Sequence, residues 1–308
     1  MKLKRKLKWF VIHGIALAGI ALCFFMLPEE MIQIKQQIYG WVDGIRHAHD
    51  DKEYDNSEEY PVMSHSGTEW YQSNRLIYHA AGGIDGLTYT NSREALERMI
   101  GNENWIQEID FGYTSDGVLV CVHEWSDITD SAQPLSLQDF LAIKIYGKYS
   151  PMTGEDVVEY MHRNPQLHVV LDSKDADTLR IVEDLMELCG GDPALMNRFI
   201  VQLYDGGVKP GIVETYPFPD ENFLFTAYKF GAERYSEIMG LCFEESIRVV
   251  TIPSGFWEQE IIDLFRSKEI FVYEHTINRP DKANASIEKG IYGVYTDFLE
   301  ESDLQLPD

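Results

Sequence analysis

The chain has 308 residues, 44% of them apolar, 12% aromatic and 25% charged, which excludes wholesale disorder, a collagen-like repeat and a disulfide-stapled mini-protein. With 26 Lys and Arg against 51 Asp and Glu it carries a formal net charge of -25. A surplus of that sign repels a phosphate backbone, so a nucleic-acid partner is not expected.

The first 28 residues carry only basic charges, Lys2, Lys4, Arg5, Lys6 and Lys8, and removing those five leaves the remainder at -30. Residues 1–8 read as a basic cytoplasmic tail. From Trp9 to Leu27 run 19 residues without formal charge. As a helix they span roughly 28 Å, close to the hydrocarbon thickness of a bilayer. No small-x-small cleavage site precedes Pro28, so residues 9–28 are expected to be an uncleaved transmembrane anchor rather than a signal peptide. The positive-inside rule then places everything beyond Pro28 outside the cytoplasm. Met31, Ile34, Ile38, Trp41, Val42 and Ile45 recur at helical spacing and predict a stem helix, and Asp50–Glu59 carries six acids and reads as a solvated linker. Residues 29–68 are thus stem and linker, and 69–308 the folded domain. Cys121, Cys189 and Cys242 stand singly in apolar stretches without metal-ligand spacing, so no structural disulfide is expected.

Beyond Trp70, short apolar runs alternate with helical patterns. The strand candidates are Leu76–His79, Trp105–Phe111, Val118–His123, His168–Asp172, Phe199–Leu203, Phe223–Ala227, Arg248–Ile252, Ile270–Tyr273 and Gly293–Thr296. Helices are predicted over Ser92–Ile100, Gly154–His162, Ala176–Cys189, Ala232–Phe243, Glu258–Lys268 and Asp281–Lys289, with a shorter one from Leu137 to Ile145. Strands without polar alternation, separated by helices, imply a parallel sheet covered on both faces. Eight such units give an α/β fold of the (β/α)8 TIM-barrel type. The ninth strand is expected to be a hairpin partner, because the turn Thr114-Ser115-Asp116-Gly117 leaves no space for a helix.

In such a barrel the reacting groups stand where strands end. The first strand ends at His79 and breaks into Ala80-Ala81-Gly82-Gly83, a loop expected to let backbone approach a ligand. Glu108 and Asp110 are two residues apart, hence on one face, and a cation between them is the simplest remedy for their repulsion. His123 ends the third strand. Asp172 and Lys174 share a face after three aliphatic residues. Three hard oxygen ligands, two imidazoles and a cation are what metal-assisted cleavage of a phosphodiester requires.

The succession His79, Glu108-Ile109-Asp110, Thr114–His123 and Leu171-Asp172-Ser173-Lys174 resembles the glycerophosphodiester phosphodiesterase family, and His275-Thr276-Ile277-Asn278 and Gly293-Val294-Tyr295-Thr296-Asp297 are similar to its late signatures. The resemblance implies that His79 and His123 are the acid/base pair, that Glu108, Asp110 and Asp172 hold a divalent metal, and that Lys174 and Asn91 meet the substrate. Asp172 stands where that family usually has Glu, Ala80 where it has Arg, Glu124 where it has Asp, and Tyr89-Thr90-Asn91-Ser92 where it has Glu-Asn-Thr. An all-carboxylate site favours Ca2+ or Mg2+ over zinc. The implied substrates are glycerophosphodiesters: deacylated phospholipid head groups, lysophospholipids or envelope glycerophosphate polymers. The nucleophile is water or a substrate hydroxyl. The segment after His123 is short, which suggests an open cleft with Trp125, Tyr146 and Tyr149 as an aromatic wall. Two other readings stand beside this one. A glycoside hydrolase also uses two carboxylates, but on different strands. A catalytically silent barrel acting as an envelope binding or scaffold protein is compatible with the loss of Arg at position 80.

Overall fold

The computed structural model describes residues 60–173, 178–227, 232–255 and 257–306. The tail, anchor and stem expected over 1–59 lie outside them, as does Lys174. Among the described residues no helix is long and apolar enough to cross a membrane.

Nine strands form one sheet: β1 (Leu76–Tyr78), β2 (Ile106–Tyr113), β3 (Leu119–Cys121), β4 (His168–Ser173), β5 (Phe199–Leu203), β6 (Phe223–Thr226), β7 (Val249–Pro253), β8 (Phe271–His275) and β9 (Gly293–Thr296). Eight of them run parallel in the order β1-β9-β8-β7-β6-β5-β4-β2, and pairing of Tyr78 with Gln107 closes β1 onto β2. The fold is therefore a closed eight-stranded parallel barrel. β3 stands outside the cycle as the antiparallel partner of β2, joined through the turn at Thr114–Gly117.

Between the strands lie α1 (Arg93–Gly101), α2 (Trp125–Ile128), α3 (Leu137–Ala142), α4 (Gly154–Arg163), α5 (Thr178–Leu188), α6 (Pro193–Met196), α7 (Lys209–Thr215), α8 (Ala232–Glu244), α9 (Gln259–Ser267) and α10 (Pro280–Glu288). Their starts follow local chemistry. At α4 the Thr153 hydroxyl accepts from the Asp156 N–H while Asp156 accepts from the Thr153 N–H, a reciprocal cap that satisfies two otherwise orphaned donors. The four-residue α2 and α6 and the seven-residue α7 show no extended apolar periodicity, which is why the sequence pattern does not announce them.

The alternation along β4 shows how the core divides. Val169 and Leu171 point outward and pack with Ile181, Val182 and Leu185 of α5 and with the other helices. Val170 points inward to join Ile77, Ile106, Ile200, Leu224 and Val249, the layer that fills the barrel. Both faces are apolar because both are covered, which is why the strands read as continuous apolar runs. Above the filled layer, the same inward face of β2 and β4 carries the carboxylates.

The opposite end is plugged by the chain before β1. Trp70 and Tyr71 cover the starts of the strands, and the Trp70 indole N–H donates to the Glu221 carbonyl at 2.7 Å. Packing begins well before Glu69, the expected domain boundary. Tyr60 stacks on Phe243 with ring centroids 4.6 Å apart, Met63 is buried and donates its N–H to the Lys268 carbonyl, and His65 bridges Tyr71 and the Glu269 carbonyl. Few apolar residues serve this docking, and backbone groups make much of it, so the sequence pattern carries little sign of it.

Glu69 locks that plug. Its carboxylate accepts from the N–H groups of Ser66 (2.6 Å), Gly67 (2.9 Å) and Thr68 (3.0 Å). Burial works to raise its pKa, but these donors outweigh burial and hold it down to about 2. A carboxyl lowered in the folded state stabilises fully above its unfolded value near 4.5, and that contribution is lost as pH falls through the folded value of about 2. Glu69→Gln is expected to cost about 1 kcal/mol at pH 7 and to flatten the loss of stability between pH 4.5 and 2, read from urea unfolding across that range.

Candidate active site

β2 and β4 pair in parallel with Asp110 directly opposite Asp172, and Glu108 precedes Asp110 by one pleat on the same face. This register brings three carboxylates from two strands to one place. One oxygen from each of Glu108, Asp110 and Asp172 lies within 4.8 Å of the others, and all three side chains are buried. Buried like charges at this spacing repel, and a divalent cation offsets that cost. Hard oxygen donors suit Mg2+ or Ca2+, so the donor set fits the group expected from the sequence.

Each carboxylate is also held by a protein donor. The Ala80 N–H donates to Glu108 Oε2 at 2.6 Å, the Asn91 amide to Asp110 Oδ2 at 2.7 Å, and the Tyr204 hydroxyl to Asp172 Oδ1 at 2.8 Å. Asn91, expected at the substrate, is instead fully buried and clamps Asp110, whose own N–H donates back to Asn91 Oδ1 at 3.1 Å. The Asn91 clamp depends on the loop between β1 and α1. In that loop Ala80, Ala81, Asp85, Tyr89 and Asn91 all adopt positive φ, between 43° and 64°. Left-handed conformations of non-glycine residues cost of order 1 kcal/mol each and persist where the surroundings over-determine them.

The glycines of that loop are required by packing. A Cβ on Gly82 would lie 2.5 Å from the Met99 side chain, and one on Gly83 would lie 2.1 Å from the Phe298 ring. They permit close packing of the loop against α1 and the chain after β9.

His79 and His123 end neighbouring stretches of chain, and both are held at Nδ1 by a carboxylate. His79 Nδ1 lies 3.0 Å from Asp297 Oδ1, and His123 Nδ1 lies 2.6 Å from Asp127 Oδ2 on α2. Nε2 is then the nitrogen each ring offers to a substrate. Burial works to lower the His79 pKa, but Glu108, the Asp297 hydrogen bond and charge, and Asp110 overcome it and push it up to about 9. Between the imidazoles stands Tyr89, its ring centroid 4.5 Å from that of His79 and 4.4 Å from that of His123.

The late motifs supply the support for His79. Asn278 Oδ1 accepts from the Thr296 hydroxyl (3.0 Å) and the Asp297 N–H (2.7 Å), and its amide donates to Asp297 Oδ2 at 2.6 Å. Asp297, Asp127, Tyr204 and Tyr89 are the site residues that sequence reasoning left without a role. Asp297 and Tyr89 stand in the motif positions quoted from the sequence, whereas Asp127 and Tyr204 carry no such signal.

Of the expected aromatic wall, Trp125 packs edge-on against Phe140, Tyr149 is in the core with its hydroxyl on Asp85, and Tyr146 is exposed. A cavity of about 350 Å3 adjoins His123, with Tyr113, Val122, Trp125 and Pro134 in its walls.

Many solved structures are similar to this chain in fold. One is a phosphodiesterase from Oleispira antarctica in complex with the product sn-glycerol-3-phosphate, 15% identical, with a TM-score of 0.58 over 73% of this chain and 93% of that one. Glycerophosphodiester phosphodiesterases from Parabacteroides distasonis (18% identity, TM-score 0.54, 72% of this chain and 82% of that one) and Thermotoga maritima (15%, 0.53, 72% and 94%) are similar in the same way. This chain has the barrel fold of the glycerophosphodiester phosphodiesterases. At the level of sequence alone, no family profile and no curated protein matches it.

Asn278→Ala is expected to remove two hydrogen bonds from Asp297 and to cost about 2 kcal/mol, lowering the thermal unfolding midpoint by several degrees in calorimetry.

Proposed function

We propose that this protein is a metal-dependent phosphodiesterase acting on glycerophosphodiester-type substrates. The observation that carries the reading is the convergence of three buried carboxylates with two imidazoles, each oriented by its own aspartate, at one end of this barrel. Glu108, Asp110 and Asp172 would hold the divalent cation, which when bound would supply Lewis acidity toward the phosphoryl oxygens. One imidazole takes the proton of the attacking oxygen as that oxygen bonds to phosphorus. The other gives a proton to the leaving alcohol oxygen as its bond to phosphorus breaks. Asp297 and Asp127 fix the tautomer and angle of the two rings. The product bound by the Oleispira antarctica relative favours glycerol 3-phosphate as the retained half of the substrate. Lys174, two residues beyond Asp172, belongs in this proposal as the side chain that meets the phosphate.

Five basic residues before 19 uncharged ones favour a single-pass anchor with its N-terminus in the cytoplasm and the barrel outside. In that setting the substrates are lipid head groups or envelope glycerophosphate polymers, and Ca2+ and Mg2+ are both at hand.

A catalytically silent barrel is favoured by one observation. Ala80 offers no side-chain charge, and its N–H is engaged by Glu108. Release of phosphomonoester from glycerophosphodiesters decides between the two. Turnover is expected to vanish with chelator and to fall about a hundred- to ten-thousand-fold in His123→Ala. Metal binding without turnover on a broad phosphodiester panel selects the scaffold, and equal turnover in all three samples removes the enzymatic proposal.

A further inference from the structure

The donor on Asp172 is the end of a chain. The Tyr295 hydroxyl, inside the barrel, donates to Gln202 Oε1 at 3.0 Å; the Gln202 amide donates to the Tyr204 oxygen at 2.7 Å; and the Tyr204 hydroxyl donates to Asp172 Oδ1 at 2.8 Å. The carboxylate fixes every direction in it. An ionised Asp172 only accepts, so Tyr204 must donate to it and accept from Gln202, which turns the Gln202 amide nitrogen toward Tyr204 and its oxygen toward Tyr295. Tyr295 can then only donate. Burial, followed by the charges of Glu108 and Asp172, holds its phenol well above the ordinary range and keeps that proton in place. Three successive bonds with one polarity strengthen one another in a low-dielectric interior.

The consequence concerns how Asp172 meets a cation. With one lone pair of Oδ1 taken by a directed donor, that oxygen is the poorer ligand, and the carboxylate is biased toward engaging a cation through a single oxygen. Glu108 is biased in the same way by the Ala80 N–H, and Asp110 by the Asn91 amide. Those two donors are buried with their loop, whereas Tyr204 is 39% exposed and replaceable. Mg2+ demands octahedral geometry with one oxygen per carboxylate, whereas Ca2+ accepts both oxygens of a carboxylate and a larger ligand number.

We infer that Tyr204 is a positioning residue for cation selectivity: by holding Asp172 to single-oxygen ligation it tilts the carboxylate triad toward a small octahedral ion and away from Ca2+. This rests on the metal-dependent reading of the site. It goes beyond that reading by assigning selectivity to a residue that touches neither substrate nor cation.

The test is calorimetric titration of the chelator-stripped protein with MgCl2 and, separately, CaCl2, for the wild type, Tyr204→Phe and Tyr295→Phe, with thermal unfolding in chelator as a control of the fold. Tyr204→Phe is expected to shift the ratio of the two dissociation constants toward Ca2+ by about tenfold or more. Tyr295→Phe, which removes the donor that orients Gln202, is expected to shift it in the same direction by less. An unchanged ratio in Tyr204→Phe, or equal weakening for both ions, overturns the inference while the metal site stands. A wild-type protein that binds neither ion overturns the metal-dependent reading and the inference together.

Discussion

Everything at the mouth of this barrel depends on one constraint, that Asp110 lies directly across from Asp172 in the pairing of β2 with β4. A parallel sheet buried on both faces tolerates inward-pointing acids only where the filling of the barrel ends, and the register sets that level. Below it, Ile106 and Val170 occupy the same two inward faces as ordinary core residues. One pleat of difference converts packing into electrostatics. The three carboxylates are then held against their mutual repulsion by donors from the loop after β1 and the chain after β5, while carboxylates from the chain after β9 and from α2 accept from the two imidazoles.

The strain in the loop after β1 belongs to the same logic. Five non-glycine residues with positive φ in one short loop are unfavourable by local preference, yet each has a task or a neighbour that fixes it. Ala80 turns its N–H onto Glu108, Asn91 presents both ends of its amide to Asp110, and Tyr89 sets its ring between the two imidazoles. Gly82 and Gly83 let the loop lie close enough against Met99 and Phe298 for this to happen. The loop is thus a part of the site built for position.

Much of this was legible in the residue order, and the reason is periodicity. Strands buried on both faces, and helices with one apolar stripe, leave strong repeating signals, so β5 and β9 fall on the expected residues and the ninth strand is the expected hairpin partner. Glu108, Asp110 and Asp172 were readable because acids two apart, or after three aliphatic residues, are anomalies within such a signal. What was not readable were partners whose meaning is relational. Asp127 is one acid among many on a surface of large negative charge until α2 turns it onto His123. Tyr204 follows a strand end like any other aromatic until the barrel closes Gln202 and Tyr295 behind it. Asn91 matched a motif position, but only the fold shows that its amide is used on a carboxylate.

The strap from Tyr60 to Glu69 bears on how the barrel is presented. It is fastened where β7 and β8 begin, through Lys268, Glu269 and Arg248, while the carboxylates stand where β2 and β4 end. The two lie at opposite ends of the barrel, separated by about the length of a strand, roughly 15 Å. Residues 60–69 therefore fasten the domain at its closed floor, like the foot of a cup, and leave the open rim where the carboxylates stand unobstructed.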